Sequence, residues 1–178
     1  MQGRVIAVSL FRLCRDPLAP TRARLIGAGL SLPCAIGRSG VVTGKREGDG
    51  ATPRGTLRPV AIYVRRDQWP TRAFRLPAGV ITPALGWCDD VRSPRYNRLV
   101  NLPTIVSHET LWREDNLYDI VIETDWNRRP AIRGRGSAIF IHLARAGFKP
   151  TEGCIALDRK GMRLFLTHLD RTTRIIIS

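Results

Sequence analysis

Cys154 and His142 are the residues whose types and spacing best support chemistry. His142 follows a short apolar segment, residues 139–141, and Cys154 comes twelve positions later, directly after Gly153. A thiol attacks as a thiolate, which a nearby imidazole can generate, and a strand, loop and strand can bring the two side chains together. Gly153 lets the backbone turn tightly, so that amides there can face a developing oxyanion. The spacing predicts a nucleophilic cysteine, although a small buried cysteine and a satisfied core histidine would leave the same pattern.

The elements around this pair are predicted to be mainly short strands with a few short helices. Prolines and glycines separate short runs rich in Val, Ile and Leu, as in a β-rich domain with many turns. Strands are predicted over residues 23–26, 32–37, 57–64, 118–124, 138–143 and 174–177. The clearest helix covers residues 159–169 with Asp158 as its N-cap, and a shorter one covers 108–114 after Ser107. The long segment 65–106, with several prolines, is predicted to be an irregular lid or substrate loop.

Length and composition predict one globular domain. The chain has 178 residues, of which 43% are hydrophobic and 25% are charged, and an ordinary domain has ~150 residues. We expect an N-terminal segment over residues 1–20, which could contain a strand, and the main domain over residues 21–178. The longest stretches without charge span 13 residues, whereas a membrane-spanning helix needs about 20. The apolar run over residues 5–11 has no cleavage site after it, so we expect neither a signal peptide nor a transmembrane anchor in this chain.

The strong positive charge predicts an anionic partner. The formal net charge is +14, and 26 of the 29 basic residues are arginines, whose forked guanidinium groups suit carboxylate and phosphate oxygens. Their scatter over the whole chain is equally typical of compositional drift. A basic nucleic-acid-binding module with an inert cysteine is an alternative. Against it, no helix carries a basic recognition face and no strand interleaves aromatic residues, so we expect no nucleic-acid partner.

The four cysteines do not have metal-binding spacing. Cys14, Cys34, Cys88 and Cys154 are separated by 20, 54 and 66 positions, which excludes a CxxC redox pair and paired zinc knuckles. We therefore expect no metal and no cofactor. A disulfide between Cys14 and Cys34, or between Cys34 and Cys88, stays open for an oxidising compartment.

Three stretches together resemble the catalytic domain of the L,D-transpeptidases, the cysteine enzymes that cross-link bacterial peptidoglycan. The stretches are ATPRG at 51–55, IFIH at 139–142 and TEGCIAL at 151–157, and the resemblance covers most of the chain from about residue 21. It implies a mainly β, single-domain fold of the L,D-transpeptidase-like β-sandwich type.

The resemblance also implies roles for individual residues. Cys154 matches the nucleophile, His142 the base, and Gly153 and Thr151 the glycine and hydroxyl of the cysteine motif. Two positions depart from the family pattern. Glu152 stands where the family usually has histidine, and Ala156 stands where it usually has Arg or Asn.

The implied reaction is a ping-pong acyl transfer. The Cys154 thiolate would attack a stem-peptide carbonyl and hold the stem as a thioester, and the side-chain amine of a diaminopimelate would then accept it. The donor carbonyl belongs to diaminopimelate in most of the family, whereas divergent members with a TEGC-type motif look suited to L-alanine. Both donors stay open, and so does a cysteine peptidase or amidase that passes the thioester to water.

Substrate-binding candidates are residues whose charge, hydroxyl or ring suits a carboxylate-rich stem peptide. They are Thr151, Glu152, Arg38, Lys45, Trp87, Tyr96, Arg98, Arg128 and Arg133. His108 and His168 are assigned surface or capping roles. Because peptidoglycan lies outside the cytoplasmic membrane, we expect a periplasmic monomer whose partners are peptidoglycan stem peptides.

Overall fold

A computed structural model describes residues 9–70 and 73–178. Within them the chain is mainly β, as predicted. The strands are β1 (Leu10–Asp16), β2 (Ala19–Gly27), β3 (Leu30–Ala35), β4 (Val41–Val42), β5 (Thr52–Pro53), β6 (Gly55–Leu57), β7 (Pro59–Val64), β8 (Ala78–Val80), β9 (Leu85–Cys88), β10 (Arg98–Asn101), β11 (His108–Thr110), β12 (Ile120–Thr124), β13 (Phe140–Leu143), β14 (Ile155–Leu157) and β15 (Arg174–Ile177). One α-helix, α1 (Arg159–Thr167), and one 3-10 turn, Ala146–Phe148, complete the described elements.

Ten strands form one sheet in the order β6-β15-β1-β2-β3-β14-β13-β12-β7-β8. A smaller sheet has the order β10-β9-β11, and β4 pairs with β5. Strand β1 joins the large sheet by pairing with β2 and with β15. Residues 1–8, which include part of the apolar run considered as a leader, lie outside the described residues.

The central strands β12 and β13 are buried on both faces, and most of their residues are apolar, with Glu123, Thr124 and His142 as the exceptions. Successive side chains of a strand point to opposite faces. In β13, Ile141 therefore contributes to a first core that includes α1, whereas Phe140 belongs to a second core with Trp87 and Cys154. His142 shares the face of Phe140, so the alternation of β13 directs the imidazole towards the side of the sheet where Cys154 lies.

Helix α1 forms where the sequence predicts it. Asp158 caps its N-terminus by accepting a hydrogen bond from the Gly161 N–H. Met162 and Phe165 are fully buried in the first core, and the Phe165 ring packs edge-on against Phe11 of β1. The helix thus closes one face of the large sheet.

The six predicted strands are confirmed, with shifted ends, and the region 57–64 is divided between β6 and β7. The helix predicted over 108–114 is wrong: His108–Thr110 is a strand whose Glu109 pairs with Trp87 of β9. The segment 65–106 is not irregular throughout, because it supplies β8, β9 and β10. The local sequence after Ser107 favoured a helix, but these residues pair with β9, which is distant in the sequence, and therefore form a strand.

The four cysteines are free thiols. Cys14 lies on β1 and Cys34 on β3, and β2 separates these two strands. Neither of the disulfides left open by the sequence is present.

Candidate active site

Adjacent parallel strands position His142 and Cys154. Strand β13 pairs with β14 so that His142 lies opposite Ala156, and Cys154 directly precedes β14. Cys154 and Ala156 are two positions apart and face the same side. Cys154, His142 and Ala156 all line one cavity. The sequence therefore predicted correctly that a strand, loop and strand would bring the thiol and the imidazole to one place.

The turn before Cys154 is held by Thr151 and Gly153. The Thr151 hydroxyl donates to the Cys154 carbonyl at 2.7 Å and accepts from the Gly153 N–H at 3.1 Å. Gly153 has φ of +133°, and a Cβ there would lie 2.7 Å from the Ala51 carbonyl oxygen. Only glycine accommodates both that dihedral and that close approach.

The TPRG stretch supports this turn from the other side. The buried Thr52 hydroxyl donates to the Gly153 carbonyl at 2.9 Å and accepts from the Gly37 N–H at 2.9 Å. Arg38 and Ile36 complete the connection through backbone hydrogen bonds with Thr151. The loop that the sequence shows as a turn therefore fixes the backbone next to Cys154.

The Cys154 thiol is buried and protonated at rest. Its S–H donates to the Ala138 carbonyl at 3.1 Å, and the Phe140 N–H donates to Sγ at 3.4 Å. Burial, followed by the negative charge of Glu109, raises the pKa of the Cys154 thiol to about 12. Something other than the resting environment must therefore favour the thiolate.

His142 is a neutral base in this structure. Its Nδ1 lies 2.8 Å from the Leu143 carbonyl, which can only accept, so Nδ1 carries the proton and Nε2 holds the lone pair. Burial lowers the pKa of His142 to about 4. The Tyr118 ring packs edge-on against the imidazole at 5.1 Å between ring centroids. Among the described residues no hydrogen bond joins His142 to Cys154.

The cavity that contains both groups has a volume of about 510 Å³ and carries charges of both signs. Its charged lining consists of Glu47, Asp89, Glu109, Glu152, Arg113, Arg145 and Lys149. A substrate with both carboxylates and an ammonium group fits this mixture better than a purely anionic one. No group of three potential metal ligands occurs within residues 9–70 and 73–178.

The model of the YkuD family, described as the L,D-transpeptidase catalytic domain, matches residues 25–177. The chain belongs to this family. No curated protein matches it. Among solved structures, an L,D-transpeptidase from Mycobacterium smegmatis matches with 14% identity and a TM-score of 0.45, over 96% of this chain and 58% of that one. The chain thus spans less than two thirds of the length of that protein.

Glu152 and Ala156, the two departures from the L,D-transpeptidase motif, have different surroundings. Glu152 lines the cavity at an exposed position, and its carboxylate accepts from Arg38 Nε at 2.8 Å. Ala156 lies beside His142 and offers the imidazole no polar group. Ala156 therefore leaves His142 without the polar neighbour that the family motif usually supplies, whereas Glu152 puts a carboxylate at the cavity in place of the usual histidine.

The remaining substrate-binding candidates lie away from the cavity lining. Lys45 is buried and forms an ion pair with Asp49. Trp87 and Tyr96 are buried, with their polar atoms bonded to Asn97 and Glu47 respectively.

Arg98 and Arg128 share a separate surface pocket, in which Arg128 also forms an ion pair with Glu123. Arg133 is exposed. Substrate contact by these arginines stays a prediction.

Three residues that the sequence analysis did not propose line the L,D-transpeptidase cavity close to the thiol. They are Glu109, Tyr118 and Arg113. His108, assigned a surface or capping role, also lines it. Glu109 could have been found only by recognising the three-residue strand β11, because its local sequence has no catalytic spacing.

Proposed function

We propose that this protein is a peptidoglycan cross-linking L,D-transpeptidase that works through a thioester on Cys154. The observation that carries the proposal is the arrangement of Cys154 and His142. His142 lies on β13, Cys154 directly precedes the adjacent parallel strand β14, and both line one cavity. Thr151 and Thr52 hold the turn that contains Cys154. Membership of the L,D-transpeptidase catalytic domain family supports the same conclusion.

The first half of the reaction forms the thioester. His142 Nε2 takes the thiol proton, the thiolate attacks the donor carbonyl, and the carbon–nitrogen bond to the downstream residue breaks. The departing amine takes the proton from His142. Because Gly153 N–H already donates to Thr151, we assign the Cys154 N–H to the developing oxyanion.

Substrate binding must favour this proton transfer. The pKa of Cys154 is raised to about 12 and that of His142 lowered to about 4, so the neutral pair dominates at pH 7. A bound substrate that places a cation near Glu109 offsets the charge that opposes the thiolate. The thiolate then forms mainly in the complex.

The donor is either diaminopimelate or L-alanine, and the acceptor is the side-chain amine of diaminopimelate. Arg145 and Lys149 at the cavity are available for stem-peptide carboxylates. The replacement of the family's polar residue by Ala156 beside His142 favours a donor unlike that of most members, for which L-alanine is the candidate.

The substrate sets the compartment. Enzymes of this family act on the cell wall, so the site of action is outside the cytoplasm, and we propose the periplasm. No helix within the described ranges is long and apolar enough to cross a membrane. A monomer and the absence of a nucleic-acid partner stay predictions.

The test uses purified protein and its Cys154→Ala variant with disaccharide tripeptide and tetrapeptide muropeptides. We expect cross-linked dimers from the unchanged protein alone, and fragmentation by mass spectrometry identifies the donor residue. Shortened monomers without dimers would show a hydrolase. Products that do not depend on Cys154 would overturn the proposal.

A further inference from the structure

Glu109 places a carboxylate in the cavity that holds the nucleophile. It lies in the middle of β11, where it pairs with Trp87 of β9, and it lines the cavity together with Cys154 and His142. It is close enough to Cys154 for its negative charge to raise the pKa of the thiol. In the thioester-forming half of the reaction this carboxylate affects the charge balance around the thiol but accepts no proton.

Tyr118 fixes the orientation of the Glu109 carboxylate. The Tyr118 hydroxyl donates a hydrogen bond to Glu109 Oε1. Its ring is buried and packs edge-on against both Phe140 and His142. Glu109 Oε2 receives no hydrogen bond from any residue in the described part of the chain. One oxygen is therefore held, and the other is available to a ligand.

Charged groups of both signs surround Glu109. Asp89 faces it from the turn directly after β9, and Glu47 faces it from the loop after β4. Arg113 faces it from the segment after β11, and Tyr118 precedes β12. Burial is the main cause that raises the pKa of Glu109 above its ordinary value; the Tyr118 hydrogen bond and Arg113 act against it, and Asp89 and Glu47 act with it. Asp89 Oδ1 is buried without a hydrogen-bond partner in the described residues. This side of the cavity therefore has more carboxylates than basic groups.

We propose that Glu109 binds the ammonium group of the acceptor and takes its first proton in the second half of the reaction. This inference rests on the proposed transpeptidation. An ammonium group with a pKa of about 10 cannot attack until it loses a proton. Neutral His142, with its pKa lowered to about 4, provides no charge to attract a cation, whereas Glu109 provides both the attraction and the proton acceptor.

The step balances. The ammonium gives one proton to the Glu109 carboxylate, and the resulting amine attacks the thioester carbonyl. The new carbon–nitrogen bond forms as the carbon–sulfur bond breaks. The second proton passes from the nitrogen to the departing sulfur through His142 Nε2, and the protonated Glu109 later releases its proton to water.

The experiment separates the two half-reactions. The unchanged protein, Glu109→Gln and the control Glu114→Gln are first mixed with disaccharide tetrapeptide whose diaminopimelate side-chain amine is acetylated, so that it cannot act as an acceptor. The Cys154 adduct is followed by rapid quenching and intact mass. Disaccharide tripeptide is then added as the acceptor, and dimer formation is measured. The amide introduced by Glu109→Gln keeps an oxygen for the Tyr118 hydroxyl, whereas Glu114 is exposed and lies outside the cavity lining.

For Glu109→Gln we expect dimer formation at least about tenfold slower, since a general base contributes ~10²–10⁴, and adduct formation equal or faster. The difference in the rate of dimer formation between Glu109→Gln and the unchanged protein should narrow as the pH rises towards 10, where free amine is abundant. The control should match the unchanged protein in both steps. Equal dimer rates, or equal loss of both steps at every pH, would overturn the role of Glu109. Absence of any dimer from the unchanged protein would instead overturn the proposed function, and this inference with it.

Discussion

Replacement of Thr52 by valine should destabilise the protein while preserving the shape of the side chain. Thr52 is fully buried, and its hydroxyl joins the Gly37 N–H to the Gly153 carbonyl through two hydrogen bonds of 2.9 Å each. Valine removes both and leaves a buried donor and a buried acceptor without partners. Each such group costs ~1–3 kcal/mol, so we expect Thr52→Val to lower the free energy of unfolding by about 2–6 kcal/mol.

Urea denaturation followed by tryptophan fluorescence measures this change. With a slope of ~2 kcal/mol/M for a domain of this size, the midpoint should fall by about 1–3 M. Thr52→Ser retains the hydroxyl and should lose about 1 kcal/mol or less. Thr167→Val is the control, because it makes the same replacement at an exposed position in α1. A Thr52→Val midpoint within about 0.2 M of the unchanged protein would refute the argument that this hydroxyl anchors the cysteine turn.

Two other predictions concern the cysteine turn. Gly153→Ala should abolish activity and lower stability, because the Cβ would meet the Ala51 carbonyl at 2.7 Å with φ at +133°; an active, fully stable variant by thermal denaturation would contradict this. Alkylation of Cys154 by iodoacetamide should be slow at pH 7 and rise about tenfold per pH unit up to pH 10, since a thiol pKa of about 12 leaves ~10⁻⁴ thiolate at pH 8. Peptide mapping by mass spectrometry measures the rate, with exposed Cys14 as the internal comparison, and a plateau near pH 7 would contradict the raised pKa.

The sequence was sufficient for the features that local pattern determines. Helix α1 has a capping residue and an apolar stripe, so Asp158 and Phe165 identified it. The strand that ends near His142 and the glycine before Cys154 are also local signals. Together with the spacing of the two residues, they indicated that Cys154 and His142 would lie close together, and both line one cavity.

The sequence was insufficient where distant pairing decides. Strand β11 exists because Glu109 pairs with Trp87, which lies 22 positions earlier, and nothing in its own three residues favours a strand over a helical turn. The burial of Trp87 and Tyr96 in turn follows from that small sheet. Their aromatic side chains were predicted to contact the substrate, but in the structure both are buried within the protein.

The most direct test of the proposed mechanism is the mass of Cys154 after exposure to the donor. The protein is mixed with disaccharide tetrapeptide, quenched in acid and digested, and the cysteine peptides are sequenced by mass spectrometry. We expect one stem-peptide acyl group on Cys154, absent from Cys14 and Cys34 and lost when an acceptor amine is added. Cross-linked product formed without any adduct on Cys154, or formed by the Cys154→Ala variant, would contradict the thioester mechanism.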